Sequence, residues 1–159
     1  MSDGPGAIQD YYPDEFAQCF GCGRLNQHGY HVRTFWKDEG SLASFTPRPE
    51  HIAVPGFVYG GLIASLVDCH AIGTAAAAVE QAAGRTVGAQ PSPRFVTAAL
   101  HVDFLAPTPL GPELELRGKV TSLSSRKVIV SVTVAAEGRT TARGEVVAVP
   151  MPDTMQSGR

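Results

Sequence analysis

A carboxylate and a pair of glycines are the residues here with the most chemistry to offer. Between Gly61 and Glu80 nearly every residue is apolar or small, and the ionisable exceptions are Asp68, Cys69 and His70. Charged groups are seldom buried without cause, and burial raises a carboxylate's pKa and makes it a stronger base. Asp68 is therefore a candidate general base for water or a carboxylate nucleophile. The competing reading is a buried aspartate satisfied by hydroxyls or by a second subunit. Just upstream, Pro55-Gly56-Phe57-Val58-Tyr59-Gly60-Gly61 leads into the same stretch. At the first turn of a helix the N–H groups of Gly60 and Gly61 lack intrahelical partners, and the macrodipole favours negative charge there. Two glycines also leave no side chain in the way of a ligand. The plainer alternative is a tight turn into the helix.

Other reactive residues offer less. Cys69 and His70 are helix neighbours pointing about 100° apart, so they do not form a nucleophile–base pair. Cys19-x-x-Cys22 followed by His28 and His31 invites a zinc reading. The histidine spacing is too short for the usual patterns, and no metal site is expected. His101 and Asp103 share a strand face and read as polar residues at a core edge or an interface. No glycine loop of the nucleotide-binding kind is present.

The elements that must position these groups follow from periodicity. Leu62 to Ala83 is Ala-rich and apolar all round, which describes a buried helix, and Gly84 stands where a C-terminal cap belongs. Its length is roughly 30–35 Å at 1.5 Å per residue. Asp68 and His70 near its middle argue against a membrane span. Before it, Tyr30 to Lys37 alternates and reads as a strand, Asp38-Glu39-Gly40 as a hairpin turn, and Ser41 to Thr46 as a second strand. After it come a long strand over Phe95 to Phe104, then Leu114 to Leu123, Lys127 to Ala136 and Thr140 to Val149. Strict alternation along the first of these puts Thr97 on the face opposite Val96 and Leu100. Residues 1–12 read as mobile, 1–18 as a tail, 19–150 as one domain and 151–159 as a second tail. Successive hairpins around a lone apolar helix imply an α+β domain: an antiparallel sheet of about five to six strands curled around it.

Composition narrows the setting. The chain has 159 residues and a net charge of −2, enough for one domain and too balanced to suggest nucleic acid or an anionic membrane as partner. Met1 to Ala17 lacks a basic residue and an apolar core segment, so no signal peptide is read and the expected setting is the cytoplasm. Three cysteines in such a chain argue for reduced thiols.

The run Pro55 to Gly61 with Asp68 beyond it resembles the hotdog-fold acyl-CoA thioesterases of the phenylacetate-pathway type. Three further pieces match: Cys19-Phe-Gly-Cys-Gly23, the strand Thr97-Ala-Ala-Leu-His-Val-Asp-Phe104 leading to Pro107, and the hairpin pair Arg126-Lys127. The likeness covers about residues 19–150. It implies a hotdog fold and hydrolysis of an acyl- or aryl-CoA thioester. It also implies Gly60 as the oxyanion donor, Asp68 as base or nucleophile, and Thr97 helping to place the water or the aspartate. Tyr59 and Gly61 would lie against the substrate, and Arg126 and Lys127 would contact coenzyme A. The bland readings stay open: a β-branched residue in a strand for Thr97, exposed basic residues at a turn for Arg126 and Lys127. No cofactor is implied, and relatives carry the cysteines without metal.

Gly60 and Asp68 are eight residues apart, about 12 Å along a helix. One thioester carbonyl cannot touch both on the same helix, so catalysis predicts at least a dimer, and the resemblance implies the same: a homo-oligomer, dimer or tetramer, with the site at the subunit interface. The departure is Tyr59, where most relatives have His. It leaves a second reading, a non-catalytic acyl-CoA-binding protein. A hydratase is a third, with Asp68-Cys-His70 lacking the spacing associated with those enzymes.

Overall fold

The computed structural model describes residues 6–156. A six-stranded antiparallel sheet of order β1-β2-β4-β5-β6-β3 wraps one long helix. The strands are β1 (Phe35–Lys37), β2 (Gly40–Phe45), β3 (Phe95–Phe104), β4 (Leu114–Leu123), β5 (Val128–Ala136) and β6 (Arg139–Pro150). The long helix α1 spans Gly60–Ala82, and a short α2 spans Asp153–Gln156. This is the hotdog arrangement that the resemblance implies.

Central β5 shows why the sheet forms. Val128, Val130, Val132 and Val134 are fully buried on one face, the period-two pattern of a strand packed on one side. The β1–β2 and β5–β6 connections are two-residue turns with positive φ at both positions, Asp38 and Glu39 in one, Glu137 and Gly138 in the other, as hairpin twist requires. At the end of α1, Gly84 (φ +69°) donates to Gln81 and Arg85 to Glu80, so the expected glycine cap is a Schellman motif.

α1 seats on the sheet through two glycines. Gly118 of β4 and Gly144 of β6 lie abreast on either side of Val132. A Cβ on Gly144 would stand 2.3 Å from Val67 Cγ1, and one on Gly118 would stand 2.3 Å from Ser41 Oγ and 2.8 Å from Thr74 Oγ1. By length and composition α1 is apolar enough to cross a membrane, but its residues are largely buried within the protein. The sheet covers one side. The segment before β1 covers the other, bringing Ile8, Tyr12 and Val32 into the same core.

Three expectations are revised. The described part of the tail, from residue 6, packs onto the domain: Ala7, Ile8, Gln9 and Tyr12 are buried, and the Ile8 amide donates to Thr34 O at 2.8 Å. The strand over Tyr30 to Lys37 shrinks to Phe35–Lys37. His31 takes φ +56°, breaking the extended run, and the amides of Tyr30 and Val32 donate to Phe20 and Gly21 instead of to a sheet neighbour. Residues 151–156, read as tail, include α2, and Met151 is buried.

A buried polar chain runs from the covering segment past α1 to β2. Gln9 Nε2 donates to Thr34 Oγ1, the Thr34 hydroxyl meets His70 Nδ1 at 3.0 Å, and His70 Nε2 meets Ser41 Oγ at 3.0 Å. Ser41 bonds on to Thr74, whose hydroxyl donates to the His70 carbonyl at 2.7 Å. Burial pushes the His70 pKa down to about 4. The imidazole is therefore neutral, with one nitrogen accepting and the other donating.

Candidate active site

Tyr59 precedes α1, and Gly60 and Gly61 are its first two residues. Their backbone N–H groups have no hydrogen-bond partner among the described residues, the condition for an anion or oxyanion to be received there. The Tyr59 ring folds back across the turn. A Cβ on Gly61 would lie 2.3 Å from the Tyr59 hydroxyl oxygen and 2.4 Å from its ring, so only glycine at 61 allows this pose. Beside Gly60 opens an apolar cavity of about 610 Å³, whose lining includes Phe57, Val58, Ile63, Phe104 and Pro107. A second cavity of similar volume lies among Phe16, Val79, Arg94, Phe95 and Leu123. Its lining holds no carboxylate and no helix start, so it offers nothing to a hydrolytic reaction.

Asp68 sits two turns further along α1, half-buried at the rim where the helix meets β3. The Thr97 hydroxyl donates a short hydrogen bond to its Oδ1. Burial raises the carboxyl pKa, and the Thr97 bond opposes that rise. The result is a carboxylate with one oxygen anchored and the other without a hydrogen bond from the described residues, the disposition a general base needs.

Thr97 reaches Asp68 because β3 is irregular. The β3–β6 register shifts between Thr97 and Ala99: Thr97 pairs with Ala148, whereas Leu100 pairs with Val146. Directly paired residues share a face. Thr97 and Leu100 thus both lie on the helix side, where strict alternation set them on opposite faces. A β-bulge adds one residue and flips the parity. After it, His101 and Asp103 fall on the outer face, paired with each other at 3.0 Å and solvent-exposed. They belong to the surface, away from Asp68.

Arg126 and Lys127 lie exposed in the β4–β5 hairpin, their amides held by Ser124 Oγ. Neither lines the cavity beside Gly60. The structure joins Asp68 to Thr97 and groups Tyr59, Gly60 and Gly61 at the helix start, but it does not bring these two sets together in one chain.

The cysteines hold what the sequence reading missed. Cys69 meets Cys19 and Cys22, with all three sulfurs within 4.8 Å of one another. His31 bonds to the Asn26 carbonyl, and neither His28 nor His31 joins the sulfurs. Hydrogen bonds from Cys22 and then Cys69 hold the Cys19 thiol far below its ordinary range, while the bond to Cys19 pushes Cys22 up. Fifty residues separate Cys19 from Cys69, so no local spacing signals the cluster.

Comparison with known proteins bears on the family and the fold. The thioesterase superfamily matches residues 55–143. The acyl-coenzyme A thioesterase THEM4 of Xenopus laevis is 34% identical over 90 residues, 57% of this chain and 35% of that protein, so the chain spans about a third of its length. Among solved structures, a thioesterase superfamily protein of Shewanella loihica PV-4 is 48% identical with a TM-score of 0.65, covering 80% of this chain and 96% of its own. The E. coli PaaI protein from the phenylacetic acid degradation operon, 15% identical over 77% of this chain and 81% of its own, shares the fold with a TM-score of 0.63. With the family match extending over more than half of its length, the chain belongs to the thioesterase superfamily.

Proposed function

We propose that the protein hydrolyses an acyl- or aryl-coenzyme A thioester to the carboxylic acid and free coenzyme A. The observation that carries this is the Asp68 carboxylate, raised in pKa by burial and anchored on one oxygen by Thr97. The name of the Xenopus laevis relative supports acyl-CoA as the substrate class. Asp68 takes a proton from water as the water oxygen attacks the thioester carbon. The tetrahedral intermediate then collapses, and the sulfur leaves with a proton as free thiol. The Gly60 amide receives the oxyanion, with Gly61 keeping the approach clear and Tyr59 bordering the carbonyl. Arg126 and Lys127 supply charge for the coenzyme A phosphates, and no metal takes part in the hydrolysis.

The Gly60 amide and Asp68 that act on one substrate come from two chains, because about 12 Å of helix separates them in one. β3 ends the sheet with an open edge and bears the exposed apolar Leu100 and Phe104, followed by exposed Leu105, a surface suited to a second copy. The working form is a homodimer, or a tetramer of two such pairs, acting in the cytoplasm. A monomer that turns over at full rate, seen by light scattering during assay, overturns this arrangement.

The test of function is free-thiol release from short, long and aromatic acyl-CoAs by the wild type and Asp68→Asn. Turnover of one of them, with a loss of about 100-fold or more in the variant, supports the proposal. One observation favours a second reading, an acyl-CoA-binding protein without turnover: Tyr59, in place of the usual histidine, lies across the turn that holds Gly60. Absence of thiol release, together with a melting temperature raised by acyl-CoA, would select that reading.

A further inference from the structure

The cysteine cluster has a geometry of its own. Cys19 and Cys22 lie in a tight turn that closes when the Gly23 amide donates to Cys19 O at 2.7 Å. Cys69 enters from the middle of α1, its Sγ 3.9 Å from that of Cys19. Cys22 and Cys69 are buried and Cys19 is exposed, so the cluster is closed on the protein side and open on one other.

Three features single out what this arrangement accommodates. Thiolates bound to one zinc ion at about 2.3 Å in tetrahedral geometry stand about 3.8 Å apart, close to the separation of Cys19 and Cys69. A disulfide needs about 2.05 Å, so these sulfurs would have to close by nearly half that separation to pair. Second, Gly21 makes the meeting possible: a Cβ there would stand 2.2 Å from Cys69 Sγ. Third, a zinc ion on three thiolates bears one net negative charge, and a cation waits nearby. The Arg94 guanidinium stacks over the Tyr12 ring at 3.8 Å, lies close enough to Cys22 to act on it electrostatically, and has a buried Nε with no hydrogen-bond partner.

We propose that Cys19, Cys22 and Cys69 form a zinc site, with the fourth coordination position facing the open side at Cys19. The site ties the segment before β1 to α1 one residue from Asp68. It does not depend on the thioesterase reading, since its donors take no part in hydrolysis.

The experiment titrates the reduced, metal-free full-length chain with Co²⁺ as a spectroscopic probe, then with Zn²⁺ against a chromophoric chelator. The expected result is one Co²⁺ per chain with tetrahedral d–d bands, a thiolate-to-cobalt charge-transfer band sized for three sulfurs, and displacement of the cobalt by zinc. Cys69→Ser should lose about a third of that band and bind about 10–100-fold more weakly, while His28→Ala and His31→Ala leave the spectrum unchanged. Zinc should also raise the wild-type melting temperature, a readout that stands even where a serine variant folds poorly. The proposal is overturned by the absence of the charge-transfer band in the wild type. It is overturned equally by a band that Cys69→Ser leaves intact, or by one that disappears with the histidines.

Discussion

Asp68 and His70 lie two residues apart on α1, and their surroundings differ in every respect. His70 is fully buried, bonded at both ring nitrogens by Thr34 and Ser41, and held neutral. Asp68 is half-buried, bonded through one oxygen, and close to an open sheet edge. A buried polar group whose every valence is satisfied within the protein specifies the packing. One whose valences are left partly open is available to a substrate. A helix that is apolar all round therefore accommodates two polar residues for two different ends, and the count of unmade hydrogen bonds tells them apart.

The largest expected effect tests the structural half of this contrast. His70→Ala leaves Thr34 and Ser41 without their partner and opens a cavity, so urea denaturation should show a loss of roughly 3–5 kcal/mol. Turnover per folded molecule should stay within about threefold of the wild type; a larger loss would move His70 into the reaction. Asp68→Asn should do the reverse. Acyl-CoA thiol release falls about 100-fold or more while stability changes by less than about 1 kcal/mol. A destabilised variant with full activity would erase the contrast. Thr97→Val, which removes only the anchoring hydroxyl, should lower kcat about tenfold with KM little changed. The smallest effect belongs to the hairpin: Arg126→Ala or Lys127→Ala should raise KM for acyl-CoA by about two- to fivefold, with kcat unaltered and the difference fading at high salt.

Much of the fold was legible because its signals are local. α1 declares itself by a long, mostly apolar run with glycines at both ends, and β4, β5 and β6 by alternation punctuated at Ser124-Ser125 and Glu137-Gly138. What was misread depends on contacts between distant segments. Tyr30 to Thr34 alternates like a strand, yet its partners are the loop at Phe20 and Gly21 and the turn at Ile8. Asp68 stood out as a charge in the wrong company, but which face carries Thr97 rested on a bulge that no residue type announces. The sulfur cluster was half visible, as Cys19-x-x-Cys22, and its third member lay in a helix read for other reasons.

The glycine seat beneath α1 has a mechanical consequence. Val67 rests on Gly144, and His70 and Thr74 rest over Gly118. Side chains can change rotamer under load, but bare backbone cannot. The helix is thus held at a fixed height above the sheet on either side of Asp68. A residue larger than glycine at 118 or 144 would lift this stretch of the helix, and Asp68 with it, away from the sheet.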